Sequence, residues 1–198
     1  IMSKYFFFLF FVTFSVFGQN SSLDVIKNTK KNSHLFFTNS DLEFRKVENK
    51  GELFTEINVD GFSKSYDIGN PDLPVFSKLI EVPQSGDIYI SIINKSETVI
   101  DLTDIGYSDK LMPSQPSISK SEDPSNINFN FNQKVYTTDE YYANELITVE
   151  RLGKMRERTL ARIKISPFSY HPLRHSLKVI DDLEFKVEYS SNLPSQNS

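Results

Sequence analysis

The sequence predicts an all-β fold: a two-sheet antiparallel β-sandwich, jelly-roll-like, with at most one short helix. Three observations predict it. Apolar and polar residues alternate with period two, most clearly where Leu183, Phe185, Val187 and Tyr189 interleave with Glu184, Lys186 and Glu188; such a strand has one buried and one wet face. No stretch between residues 34 and 190 carries a long helical stripe. Turn chemistry at Asp60-Gly61, Ser85-Gly86, Gly153 and Asp181-Asp182 punctuates the alternation, as in roughly ten or more short strands folded into two sheets. A helix-packed sheet is the weaker alternative.

The chain begins with one early cation, Lys4, and an apolar run from Tyr5 to Val12 that continues with interruptions to Phe17. That is the pattern of a secretory signal peptide over residues 1–18, cut between Gly18 and Gln19 with Val16 and Gly18 in the small-residue positions. An uncleaved anchor needs roughly 20 apolar residues, and Thr13 and Ser15 dilute a shorter run. Residues 19–33 are polar and read as a flexible lead-in. The sandwich is then expected over 34–190, and the Ser/Asn/Pro tail at 191–198 reads as a linker toward a downstream domain.

Within the sandwich, Leu53, Thr55, Ile57 and Val59 alternate with Glu52, Phe54, Glu56 and Asn58. Ile88, Ile90 and Ile92 share a face, opposite Tyr89, Ser91 and Ile93. Ala161, Ile163 and Ile165 point away from Arg162 and Lys164. The best helix candidate, Asp139 to Leu146, is one or two turns at most. One interval breaks the rhythm. Met112 to Asn128 holds three prolines, five serines and a central Ile118, which an interior strand does not accommodate. A loop of that length inside a domain is uncommon and often functional.

Composition removes several classes of chemistry. The net charge of −4 disfavours nucleic-acid binding through counterion release. Cysteine is absent, so thiol catalysis and thiolate metal sites are excluded. His171 and His175 are four apart, but Pro172 argues against the helix that would align them, and a tetrahedral site wants three or four convergent ligands. Asp101, Asp104 and Asp109 lack calcium-loop spacing and read as solvated turn residues. Neither a Gly-x-Ser-x-Gly turn nor a phosphate-cradling glycine loop occurs. No cofactor is expected. Arg151, Lys154, Arg156, Arg158, Arg162 and Lys164 read first as the wet face of a hairpin, and secondly as a docking surface for an acidic partner.

At Gly69-Asn70-Pro71-Asp72-Leu73-Pro74 the chain enters a strand, Val75 to Pro83, through a stiff corner. Pro71 and Pro74 fix their own φ and push the preceding residues into extended geometry, and Gly69 permits a turn that other residues would strain. This Gly-x-Pro-x-Leu-Pro pattern resembles the N-terminal prodomain of the gingipain family of cysteine peptidases, the C25 group of Bacteroidetes-type bacteria. Pro113, Gln115 and Pro116 resemble its Pro-x-Gln-Pro segment. Gly153 to Arg156, then Leu160 to Ile165, then Pro167 and Tyr170 resemble its Gly-x-x-Arg, strand, Pro-x-x-Tyr stretch. The likeness covers roughly residues 40–190, and these motif residues, with Pro83, read as structural rather than catalytic.

The resemblance implies a β-sandwich that assists folding of a C25 catalytic domain in cis and keeps it latent. It implies export by a signal peptide and the type IX route, through the periplasm to the cell surface or medium, with the secretion machinery as a partner. No membrane or nucleic-acid partner is implied for the mature form. Latency in the family is similar to substrate mimicry, with a basic side chain entering the specificity pocket. Here the 112–128 loop carries one cation, Lys120, between Ser119 and Ser121. Lys120 is either that plug or a charge that solubilises the loop; Lys110 and Lys134 at its shoulders are the next candidates. The loop holds no arginine, so a peptidase blocked this way would prefer lysine. The competing reading is a secreted binding module for carbohydrate or cell surface, with Tyr136, Tyr141 and Tyr142 as an aromatic platform.

Overall fold

A computed structural model of the chain describes residues 22–117 and 128–190. Eleven strands appear among the described residues: β1 Ser22–Asn28, β2 Asn32–Thr38, β3 Leu42–Asn49, β4 Glu52–Val59, β5 Phe76–Val82, β6 Ile88–Asp101, β7 Tyr142–Ala143, β8 Ile147–Met155, β9 Arg158–Ile165, β10 Phe168–His171 and β11 Ser176–Tyr189. One four-residue helix, α1, spans Gln133–Tyr136. The predicted signal peptide and the 191–198 linker lie outside the described residues. Among the described residues no helix is long and apolar enough to cross a membrane.

The larger sheet is organised around β11. One edge of β11 pairs with β6 along its whole length; the other pairs first with β10, which continues to β7, and then with β2, which continues to β1. The smaller sheet is β5–β9–β8. Every ladder between these strands is antiparallel. The two sheets face each other across a core of Leu23, Leu35, Phe37, Leu183, Phe185 and Val187 on one side and Phe76, Ala161, Ile163 and Ile165 on the other. The alternation in β9 and in the second half of β11 is realised as written in the sequence. At about 1.5–3 kcal/mol for each large apolar side chain buried, this layer supplies the main drive to close the sandwich.

A second core sits at the other end of β11, where the β3–β4 hairpin packs over Phe168, Tyr170, Leu177 and Val179 together with Leu73, Leu102 and Leu111. β4 is covered on both faces, by this core at Ile57 and Val59 and by Phe129 at Phe54. Phe54, assigned by alternation to the wet side, is fully buried, whereas Leu53 is half exposed.

Four local expectations are corrected. The polar segment 19–33 is not a loose lead-in over its described part: Ser22–Asn28 is a strand paired along β2. It is an edge strand with one buried residue, Leu23, while Val25 and Ile26 are exposed. The helix expected over Asp139–Leu146 is absent; this segment holds β7, and the helix lies earlier at Gln133–Tyr136. Asp181-Asp182 is no turn but a bulge in a continuous β11, placed where its partner changes from β10 to β2. Gly153 likewise flanks a bulge in β8, at Leu152, and the hairpin turn falls after it at Arg156, whose φ is +57°.

Candidate functional site at the base of the long loop

The Gly69 to Pro74 motif is not an outer corner. Pro71 through Phe76 are all buried, and the motif pairs with the first residues of the long loop. Gly69 N–H donates to the Ser114 carbonyl at 2.8 Å, Ser114 N–H to the Asn70 carbonyl at 2.8 Å, and Asp72 N–H to the Met112 carbonyl at 2.9 Å. On its other side this segment joins β4: Thr55 N–H donates to the Lys110 carbonyl and Met112 N–H to the Thr55 carbonyl, both at 2.8 Å. Residues 110–114 thus run as an unclassified strand between β4 and the motif. The prolines suit this because Pro71 and Pro113 sit opposite each other as a bridge in which neither needs an N–H.

The returning shoulder is fastened to the same place. Asn132 N–H donates to the Gly69 carbonyl at 2.8 Å, and Asn132 Nδ2 donates to Asn70 Oδ1 at 2.7 Å. Gln115 ties the shoulders together, its Nε2 donating to the Asn130 carbonyl at 2.7 Å while its Oε1 accepts from Asn130 N–H at 2.9 Å. Gly69, at φ +84°, is required by its backbone. A Cβ there would enter an unfavourable left-handed conformation.

Aromatic rings hold the returning shoulder from below. Phe129 lies 5.5 Å from Phe54, Phe131 is 6.4 Å from Phe129, and Phe131 stacks at 4.3 Å on Tyr136. Tyr136 is buried, and its hydroxyl donates to the Leu111 carbonyl at 2.7 Å. Burial, reinforced by neighbouring Tyr170 and Asp72, holds its phenol far above the usual tyrosine range. The sequence reading did not single out Phe129 and Phe131. The signal was present, since asparagine alternates with Ile127, Phe129 and Phe131 from Asn126 to Asn132.

The folded body therefore reaches further into the expected loop than its composition suggested. Met112 to Ser114 belong to the folded body, Gln115 is half-buried, and exposure begins at Pro116 and Ser117. Ser119, Lys120 and Ser121 lie outside the described residues. Of the shoulder lysines, Lys110 sits 3.5 Å from Glu52 Oε1 and 5.4 Å from the Phe131 ring centre, whereas Lys134 on α1 is exposed.

The other motif residues lie elsewhere. Pro83 follows β5, Arg156 is the exposed turn of the β8–β9 hairpin, and Pro167 accepts Ile180 N–H beside buried Tyr170 in the second core. Arg151, Lys154, Arg156 and Arg158 line the exposed part of that hairpin. The proposed tyrosine platform does not assemble. Tyr136 is buried, Tyr141 is engaged with Ser176 and Lys178, and Tyr142 donates to Asp67. No cluster of three or more potential metal ligands occurs among the described residues.

Sandwich and pinned base together define a loop-presenting β-sandwich domain. The comparisons place that domain. The family model described as Propeptide_C25 matches residues 16–198, and the chain belongs to this family, the propeptides of gingipain-type C25 peptidases. It is similar to the Lys-gingipain HG66 of Porphyromonas gingivalis, 35% identical over 82% of this chain and 9% of that protein. It is similar also to gingipain R1 of the same organism, 21% identical over 88% of this chain and 17% of that protein. The chain thus spans about a tenth of the Lys-gingipain it matches. A solved structure described as insight into zymogenic latency of gingipain K from Porphyromonas gingivalis superposes with a TM-score of 0.79 at 32% identity, covering 87% of this chain and 94% of that one. The complex of Porphyromonas gingivalis RgpB pro- and mature domains gives a TM-score of 0.74 at 17% identity over 87% of each chain, a likeness of fold.

Proposed function

We propose that this propeptide keeps a secreted gingipain-type cysteine peptidase latent and assists its folding, by offering Lys120 to the specificity pocket of the catalytic domain in cis. The observation that carries this reading is the base of the loop. The Gly69 to Pro74 motif, Gln115 and Asn130 to Asn132 close both shoulders onto one buried platform, so a residue between them is presented from a fixed stand. Fixing the stand beforehand lowers the entropy lost on binding. An ammonium against a buried carboxylate would form a charge-assisted contact. The 35% identity with a Lys-gingipain, against 21% with gingipain R1, supports a lysine-directed partner, as does the absence of arginine from the loop. Secretion, through a signal peptide over residues 1–18 and the type IX route to the cell surface, belongs to the same proposal.

Titrating the folded chain into the mature peptidase and following residual activity tests it. The wild-type chain is expected to inhibit, and Lys120→Ala to weaken inhibition about 30-fold or more, because truncating one member of a buried charge pair costs about 2–5 kcal/mol. Equal inhibition by both chains would remove Lys120 as the plug. Lys134→Ala, next in line by exposure, would then be the variant to compare.

A further inference from the structure

A cavity of about 550 Å³ opens between the 63–66 segment and the face of the β5–β9–β8 sheet that points away from the core. Lys64, Arg162 and Lys164 line it together with one carboxylate, Glu145, and of these three cations only Lys164 makes no ion pair among the described residues. Lys64 is shared with Glu56 at 3.3 Å and Asp72 at 3.6 Å, and Arg162 lies 3.7 Å from Glu150. Lys164 stands on the middle strand, on the rung formed with Ser77 and Thr148.

Tyr66 forms part of the rim, with φ at +59° and 64% of its surface exposed. A left-handed backbone is unfavourable for a bulky L residue, and an aromatic ring held in water returns nothing to the fold. Ile68, two residues on, is also exposed at 41%. Neither is on a loose segment. Asp67 between them accepts the Tyr142 hydroxyl at 2.5 Å, Ser65 N–H donates to Asp72 at 3.0 Å, and Gly69 is bonded to Ser114. Three residues span at most about 10 Å, so this face adjoins the loop base.

We infer that this face is a second docking surface for the peptidase domain of the same polypeptide. Tyr66 and Ile68 meet an apolar patch of that domain, and the cavity takes an acidic side chain beside it. The inference rests on the latency reading above. The occupant follows from three facts: the surface continues from the loop base; the chain spans only 9% of the Lys-gingipain it matches, leaving most of such a protein outside it; and Lys164, the cavity cation without an ion pair among the described residues, suits a carboxylate. Rigid exposed aromatics and paired charges are what carry affinity at such contacts.

The test is inhibition of the mature peptidase, obtained by processing the full precursor, with the added folded chain. Tyr66→Ala and Lys164→Glu are each expected to raise the inhibition constant about tenfold. Tyr66→Ala combined with Lys120→Ala should multiply the two losses, because separate contacts add in free energy. Tyr66→Gly, which relieves the backbone, should melt no lower than Tyr66→Ala yet inhibit as weakly, which separates lost contact from lost fold. Inhibition by Tyr66→Ala and Lys164→Glu within twofold of wild type would overturn the second surface and leave the latency reading intact. A wild-type chain that does not inhibit would overturn both. A Tyr66-dependent dimer of the chain alone in sedimentation would assign the face to a second copy and overturn the inference.

Discussion

Gln115 and Asn130 close the long loop by a reciprocal contact, the Gln115 amide group donating to the Asn130 carbonyl and accepting from its N–H. One side chain thereby imitates a strand neighbour for a backbone that has none. The same Nε2 lies 3.2 Å from the carbonyls of Pro113 and Ser114, so the amide also braces its own shoulder.

Gln115→Ala removes that closure and leaves the Asn130 groups without their partner. Stability to urea is expected to fall by about 1–3 kcal/mol. Inhibition of the peptidase should weaken as well, because the loop loses its preformed stand. Urea unfolding and inhibition constants measured on the same preparation check both, and an unchanged midpoint would show that the other bonds at the base suffice.

Gly69→Ala and Gly61→Ala are expected to destabilise by similar amounts. Both glycines have positive φ, at +84° and +77°; a Cβ at Gly61 meets nothing within 4 Å, and one at Gly69 would sit in ordinary contact with the Asn132 and Phe131 backbone, at 3.4 and 3.6 Å. The backbone term is about 1–2 kcal/mol, so each variant should lose about that. Thermal melts of the two variants decide it, and a much larger loss at Gly69 would show that the loop base tolerates no added methyl.

Three tyrosines make the domain sensitive to alkali. Burial raises Tyr170 to about 12, and burial followed by its bond to Asp67 raises Tyr142 further; Tyr136 is raised by burial most of all. Raised phenols favour the folded state while they stay neutral. Their contribution is complete below the unfolded value near 10 and is lost as pH climbs through the folded values. Denaturant midpoints should therefore fall above about pH 10. Phenolate absorbance should show a late step coinciding with loss of structure, whereas smooth ionisation of all tyrosines near pH 10 would contradict the burial.

Legibility followed the length scale of each constraint. β9 and the last half of β11 were readable because one face meets a core and the other water, which writes period two directly into the sequence. β4 was misread at Phe54 because Phe129, from the returning side of the loop, packs on the face opposite the second core, and alternation carries no sign of that. β1 was missed because its short apolar run, Leu23, Val25 and Ile26, is flanked on both sides by polar residues that read as a loop. The Gly69 to Pro74 motif was legible as a stiff element, but its pairing with Met112 to Ser114 was not, since long-range hydrogen bonds between proline-rich segments leave no local period. Phe129 and Phe131 were legible in principle from their alternation with asparagine. The cavity beside Tyr66 was not, because Arg162 and Lys164 come from β9 while Lys64 and the rim come from residues nearly a hundred positions earlier.

The mode of inhibition tests the central claim most directly. The folded chain should act as a competitive inhibitor toward a short lysyl substrate of the mature peptidase, and Lys120→Ala should weaken it about 30-fold or more. Inhibition that stays noncompetitive, or is unchanged by the substitution, would mean that the lysine of the base-pinned loop does not fill the pocket.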